Sequence, residues 1–258
     1  PDHFSGRTTP AYWNMVGPYG GITAATLLQA VLRHPLLLGE PLSLTVNYAA
    51  AVQEGAFSVQ ATPVRTNRST QHWMVLAQQA SASGDTLVST TATVVTAARR
   101  ETWSAADTPM PAVPTPAQCQ RTPASVFVGE WFHRYEMRPI TGTLPTQWDD
   151  GGHSSLTQLW LRDAPARALD FAALAAMCDV FYPRVWLRRA RRVPAGTVSM
   201  TVYFHAGSAL LAQTGAGYLL AQARAQEFRN GFFDQSAQLW NQAGRLLATS
   251  HQIVYYKE

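Results

Sequence analysis

The sequence predicts an α+β protein built as two tandem copies of one unit, each a long apolar helix followed by an antiparallel meander. Three observations carry this. Residues 42–48 (Leu-Ser-Leu-Thr-Val-Asn-Tyr) and 198–204 (Val-Ser-Met-Thr-Val-Tyr-Phe) share one strand pattern with Ser and Thr in the same slots. A helix-like apolar stretch precedes each copy of that strand, and three long strand-like segments follow it. The repeat is too long for a solenoid unit and suits a duplicated domain.

In the first copy, residues 20–33 (GGITAATLLQAVLR) are apolar at nearly every position and stop before Pro35. A helix apolar on most faces belongs inside a sheet wrap rather than on a surface. Strands are expected at 42–52, 56–65, 70–81 and 86–97, with turn chemistry in Thr66-Asn67-Arg68-Ser69 and Ser83-Gly84-Asp85. The chain then carries prolines 109, 111, 114, 116 and 123 without apolar periodicity, which favours an extended, semi-rigid linker. The expected division is an N-terminal unit at 1–100, a linker at 101–124 and a C-terminal unit at 125–258.

The second copy is expected to open with a strand at 126–138, a loop containing Asp149-Asp150-Gly151-Gly152, and a strand at 154–162. Asp170 stands in the N-cap position of a helix over 171–181, with Pro183 as its stop. Strands at 197–206, 214–228, 231–241 and 245–257 complete it. Asn230-Gly231 is a strong hairpin signal and Ala243-Gly244 marks another turn.

Composition narrows the class. The chain has 258 residues, 47% hydrophobic and only 14% charged, which describes a well-cored globular protein. No apolar run approaches the ~20 residues needed to span a bilayer, and the N-terminal residues lack a basic-then-apolar leader pattern. The two cysteines, Cys119 and Cys178, form neither a disulfide framework nor a zinc pattern, so a cytoplasmic location is expected. A formal net charge of +4 suits an anionic small molecule at least as well as nucleic acid.

A curled antiparallel sheet wrapped around one apolar helix is the hotdog fold, and two copies make a double hotdog. Tyr19-Gly20-Gly21, Met177-Cys178-Asp179, Ser199-Met200-Thr201 and His251-Gln252 occur in an order that resembles the acyl-CoA thioesterase II family over nearly the whole chain. The resemblance implies hydrolysis of an acyl-CoA thioester to a free acid and coenzyme A, with no cofactor or metal, and a homodimeric assembly. It places an acyl tunnel between helices and sheet.

The differences between the copies locate the expected site. Aligning the turns at Gly84 and Gly244 sets Ala92 opposite Gln252, and aligning the strands sets Thr45 opposite Thr201. The first helix contains no acid, whereas Asp179 stands in the second among Ala, Leu, Met, Cys, Val and Phe. A carboxylate in such surroundings is desolvated, its pKa rises, and it becomes suited to taking a proton from water. Thr201 and Gln252 both donate and accept hydrogen bonds, so the three together can hold one water. The family's aspartate, threonine and glutamine orient the hydrolytic water, and the match carries those roles to Asp179, Thr201 and Gln252. A register shift of one would instead turn His251 inward. Gly20 and Gly21, at the start of the first helix, offer backbone N–H groups and a helix dipole to a developing oxyanion. The alternative reading of the pair is a tight turn into the helix.

Arg184, Arg188, Arg189, Arg191 and Arg192 form the densest charge cluster, the right chemistry for the phosphates of coenzyme A. A solvated loop would show the same run. Nucleic-acid binding is disfavoured because no recognised motif surrounds it. Gly215-Ala216-Gly217 lacks the third glycine of a dinucleotide fingerprint, Leu220 standing in its place, and sits in strand context. Gly152-His153-Ser154-Ser155-Leu156 lacks the closing glycine of a serine-nucleophile elbow. The histidines show no metal-ligand spacing, and His153 near Asp149 and Asp150 reads as a charged turn. Two other functions remain open: a non-catalytic acyl-CoA binder, and a hotdog enoyl-CoA hydratase or dehydratase. The latter is disfavoured because neither helix carries its Asp and His pair.

Overall fold

A computed structural model describes residues 2–81, 83–123 and 129–258. The apolar helix α1 (Gly20–Leu32) forms where expected, with Ala24, Leu27, Leu28 and Val31 buried. After it come β2 (Glu40–Tyr48), β3 (Ala56–Thr66), β4 (Thr70–Ala80) and β5 (Thr86–Ala97), all within a few residues of the expected strands. A short strand β1 (His3–Arg7) precedes α1 and pairs with β3. It has no hydrophobic alternation to announce it.

The second copy comprises β6 (Tyr135–Thr141), β7 (Thr157–Asp163), α2 (Phe171–Met177), α3 (Arg184–Arg189), β8 (Ala195–Phe204), α4 (Ser208–Thr214), β9 (Leu219–Arg224), β10 (Phe228–Arg229), β11 (Phe232–Asn241) and β12 (Leu246–Tyr256). Several expectations need correction. Residues 126–128 of the strand expected at 126–138 lie outside the described residues. Glu130–Arg134 is a 3-10 turn, so pairing starts only at Tyr135. The segment expected as one strand at 214–228 divides into the end of α4, then β9 and β10. Gly215 closes α4 with φ at +59°. The helix expected over 171–181 stops at Met177, and Pro183 caps α3 rather than ending α2.

The strands form one antiparallel sheet in the order β1-β3-β4-β5-β2-β8-β12-β11-β9-β7-β6, with β10 on β11. The repeated strands pair with each other at its centre. Thr45 lies directly opposite Thr201, with Leu44 opposite Val202 and Val46 opposite Met200. Equivalent residues facing each other define a local two-fold axis through the Thr45–Thr201 pair, whose hydroxyls are 3.0 Å apart. Leu44, Val46, Met200 and Val202 point to the helices and join the main core. The threonines, by alternation, point to the other face.

The ladder also corrects the alignment of the copies. Leu44 pairs with Val94 and Met200 with Gln252, so Val94 is the counterpart of Gln252. Ala92 corresponds instead to Ser250, since these face Val46 and Val202. The first copy has two more residues between its turn and the ladder, which preserves the in–out alternation but shifts the match. The residues from 107 to 123 are not a free linker. Met110, Val113 and Cys119 pack on Trp160, Leu220 and Trp240, whose Trp160 indole donates to the Pro114 carbonyl at 2.7 Å.

The first turn of α1 meets the last turn of α2. The Tyr19 hydroxyl, just before α1, donates to the Ala176 carbonyl. A Cβ on Gly21 would lie 2.5 Å from that same carbonyl oxygen and closer still to the Tyr19 hydroxyl. Gly21→Ala is therefore expected to force the helices apart and cost about 2 kcal/mol despite its better helix propensity. A lowered urea midpoint at unchanged m-value would check this.

Candidate active site

Asp179 lies just beyond α2, in the turn where the Asp179 N–H bonds to the Ala176 carbonyl at 3.1 Å. Leaving the helix carries the carboxylate to the N-terminus of α1. There the Gly21 N–H donates to it. The Gly20 backbone approaches so closely that an added Cβ would stand 2.7 Å from Asp179 Oδ2. From the sheet, the Gln252 amide donates through Nε2 to Asp179 Oδ1 at 2.8 Å. Among the described residues no cation is paired with this carboxylate. Burial pushes the carboxyl up to about 7, while the Gln252 amide and the Gly21 N–H pull in the opposite direction.

Two of the three expected residues are thus brought together and the third is not. Gln252 is buried on the helix side of β12, next to the Met200 sulfur at 3.3 Å. His251 points to the opposite face, beside Asp234. Thr201 also lies on that face, bonded to Thr45, and does not border the cavity at Asp179. Thr197 takes the place expected for it, donating to Gln252 Oε1 at 3.4 Å. Strict alternation from Met200 would turn Thr197 outward. A bulge between Ser199 and Thr197 leaves Val198 exposed and brings Thr197 in. The Gln252 amide is thereby oriented at both ends, its oxygen accepting from Thr197 and its nitrogen donating to Asp179.

These groups border a cavity of about 440 Å³ whose wall includes Gly20, Tyr48, Trp131, Phe181, Gln235 and Val254. Tyr48 donates its hydroxyl to the Gly20 carbonyl at 2.9 Å, and burial together with the nearby Asp179 carboxylate holds it firmly protonated. A second, mostly apolar pocket of about 220 Å³ adjoins at Pro18, Thr23 and Val52 and runs beneath α1, past Ile22, Leu27, Phe57 and Val59. No histidine borders either pocket among the described residues.

The expectation for the two glycines is also altered. The Gly21 N–H is committed to Asp179, and its missing side chain serves the helix contact. Gly20 borders the cavity and makes room for the carboxylate.

The arginines do not act as one cluster. Arg184 is 0% exposed and donates to the carbonyls of Tyr182 and Ser155 and to the Thr157 hydroxyl, a structural tie that removes it from phosphate binding. Desolvation lowers its pKa to about 9. Arg189 is paired with Asp150 and Glu258, and Arg188 donates to the Gly152 carbonyl. Arg191 lies 3.9 Å from Asp150. Arg192, over the rings of Trp148 and Trp186, is the member that reaches the cavity wall.

The raised Asp179 pKa has a stability consequence. The folded state holds this proton more tightly than the unfolded chain, so folding loses stability as pH climbs from about 4 to about 7 and no further above it. Asp179→Asn keeps an acceptor for Gln252 and Gly21 without the charge. Its Tm is expected to exceed the parent's by a few degrees at pH 8, with the gap closing toward pH 4 in thermal scans.

Comparison with known proteins agrees with this architecture. An acyl-CoA thioesterase N-terminal domain model matches residues 9–97, and an acyl-CoA thioesterase C-terminal domain model matches residues 104–256. No curated protein matches the sequence. Among solved structures, a conserved hot dog protein of unknown function from Alicyclobacillus acidocaldarius is 46% identical, with TM-score 0.93, covering 100% of this chain and 94% of its own. A putative thioesterase II from Thermobifida fusca is 18% identical with TM-score 0.82, covering 100% and 93%. The acyl-CoA thioesterase II TesB2 from Mycobacterium marinum is 19% identical with TM-score 0.76, covering 99% and 93%. The last two likenesses speak to fold. A double hotdog matched along both halves by these domain models belongs to the acyl-CoA thioesterase family.

Proposed function

We propose that this protein hydrolyses acyl-CoA thioesters, with Asp179 as general base. The observation that carries the reading is a buried carboxylate held by Gln252 and Gly21 at the wall of a cavity, with no cation paired to it among the described residues, so that burial pushes it up to about 7. A base poised near neutrality takes a proton from water effectively at physiological pH. The water, held by Asp179 and the Gln252–Thr197 pair, attacks the thioester carbonyl as its proton passes to Asp179. The tetrahedral intermediate collapses, the carbon–sulfur bond breaks, and the thiolate of coenzyme A recovers the proton from Asp179. Free acid and thiol leave, and the base is regenerated.

Gly20, at the positive end of α1, is the member of the glycine pair left to face the developing oxyanion. The alkyl chain runs between α1 and the sheet into the adjoining apolar pocket, while the nucleotide end remains in solvent beside Arg192. The absence of a histidine from the described cavity wall weighs against hydration chemistry.

Thiol release from acyl-CoAs of several chain lengths tests the reading, and saturable binding without release would point to the non-catalytic binder. The kcat/KM is expected to rise with pH and level off above about 7. Asp179→Asn should lower it at least ~100-fold. Thr197→Val should lower it about 10-fold while Thr201→Val leaves it unchanged. Equal losses in the two threonine variants would remove Thr197 from the site. Arg192→Ala is expected to raise KM for acyl-CoA several-fold and leave unaltered the KM for the same acyl group on N-acetylcysteamine, which has no phosphates.

A further inference from the structure

The pocket beneath α1 has a far end, and the strand ladder of the first copy locates it. Tyr48 of β2, which borders the cavity, pairs with Thr90 of β5; Thr90 pairs with Ala77 of β4, and Ala77 with Val59 of β3. This row of buried or half-buried side chains crosses the sheet away from the central seam, and its last two members lie in the pocket wall. By strand alternation the next inward residue of β3 is Phe57, which lies in that wall as well.

Phe57 pairs with Gly6 of β1, the first strand in the sheet order, so beyond it lies only the sheet edge. Its ring occupies the place that a side chain on Gly6 would take: an added Cβ there would stand 2.6 Å from Phe57 Cε2. Alongside, the Gly55 N–H donates to the Thr8 hydroxyl at 2.8 Å and the Thr8 N–H to the Gly55 carbonyl at 2.9 Å, tying the approach to β3 to the end of β1. The ring is thus seated against the edge strand, three strands away from Tyr48.

The wall up to that point suits plain hydrocarbon. Two of its hydroxyls are turned onto the backbone, Thr26 donating to the Ile22 carbonyl at 2.8 Å and Ser89 to the Ala77 carbonyl at 3.3 Å. Two measures set the length. A dry cavity of about 150 Å³ takes up one benzene, so the 220 Å³ here has room for about nine carbons. From β2 to β3 is about 14 Å of strand spacing, which an extended chain covers in about twelve bonds at ~1.2 Å each.

Resting on the thioesterase reading, we infer that Phe57 is a specificity-determining residue that ends the acyl pocket, selecting unsubstituted acyl groups of about ten carbons. Shorter chains leave apolar wall uncovered. Longer ones meet the ring.

The experiment measures kcat/KM for straight-chain acyl-CoAs from butanoyl to hexadecanoyl, below the concentrations at which they form micelles. In the parent, each added methylene is expected to raise kcat/KM about 4-fold until the pocket is filled. Hexadecanoyl-CoA should then fall at least ~10-fold below decanoyl-CoA. Phe57→Ala opens the end wall and should raise the hexadecanoyl-to-decanoyl ratio at least ~10-fold. Gly6→Ala drives the ring off β1 toward the pocket it borders and should shorten the preferred chain by about two carbons. The inference is overturned if the parent shows no optimum below hexadecanoyl, or if the two variants fail to move the optimum in opposite directions. Incomplete folding lowers all chain lengths alike and mimics neither shift. Should no acyl-CoA be hydrolysed, the catalytic reading fails separately. Calorimetric titration of decanoyl- and hexadecanoyl-CoA into parent and Phe57→Ala then decides the role of Phe57. A parental preference for decanoyl-CoA that the variant loses supports it; equal affinities in the parent, or a preference the variant keeps, oppose it.

Discussion

A carboxylate withdrawn from water must find hydrogen bonds, and the way Asp179 finds them determines how the two copies meet. Its partners come from different places: the Gly21 N–H from the first helix, and the Gln252 amide from the last strand of the second copy. The close approach requires Gly20, and the helix contact that sustains it requires Gly21. The α1–α2 crossing, the register of β12 and the early end of α2 are therefore conditions on one another. Each sets where a single oxygen pair can sit.

The same constraint divides work between the copies. The first supplies a helix N-terminus, the Tyr48 hydroxyl and the apolar pocket beneath α1; the second supplies Asp179, Gln252 and Gln235. Neither copy alone brings the acid and the helix end together. The partial satisfaction of Asp179 also explains its intermediate character. Two donors keep it from behaving as an isolated buried acid, and burial keeps it from behaving as an ordinary surface one.

Much of this was legible in residues 42–48 and 198–204, because strand alternation and the apolar runs before them are strong, local signals. The positions of Asp179 and Gln252 were legible for a related reason: a lone acid in an apolar run and a short motif near the end of a strand stand out. Thr201 misled because the pattern that made the repeat visible also made its threonine conspicuous. Selecting Thr197 depended on the bulge at Val198, which breaks alternation and leaves no mark in composition. The split of 214–228 was hidden similarly, since Ala, Leu and Gln suit helix and strand alike. Gln235 passed unnoticed because its strand alternates normally, and only the ladder shows that it faces Gln252. Arg184 could not be separated from its neighbours until the carbonyls around it were known.

The central pairing of Thr45 with Thr201 has one more consequence. Where a two-fold axis passes between matching positions, a residue meets its own kind, and the chemistry must be self-complementary. A lysine would face a lysine and an aspartate an aspartate, each repelling its image. A hydroxyl is at once donor and acceptor, so two of them satisfy one another without breaking the symmetry of the backbone. Such a contact would hold two separate, identical units together as readily as two halves of one chain. The seam of this sheet thus has the chemistry of a homodimer interface made permanent by a covalent connection.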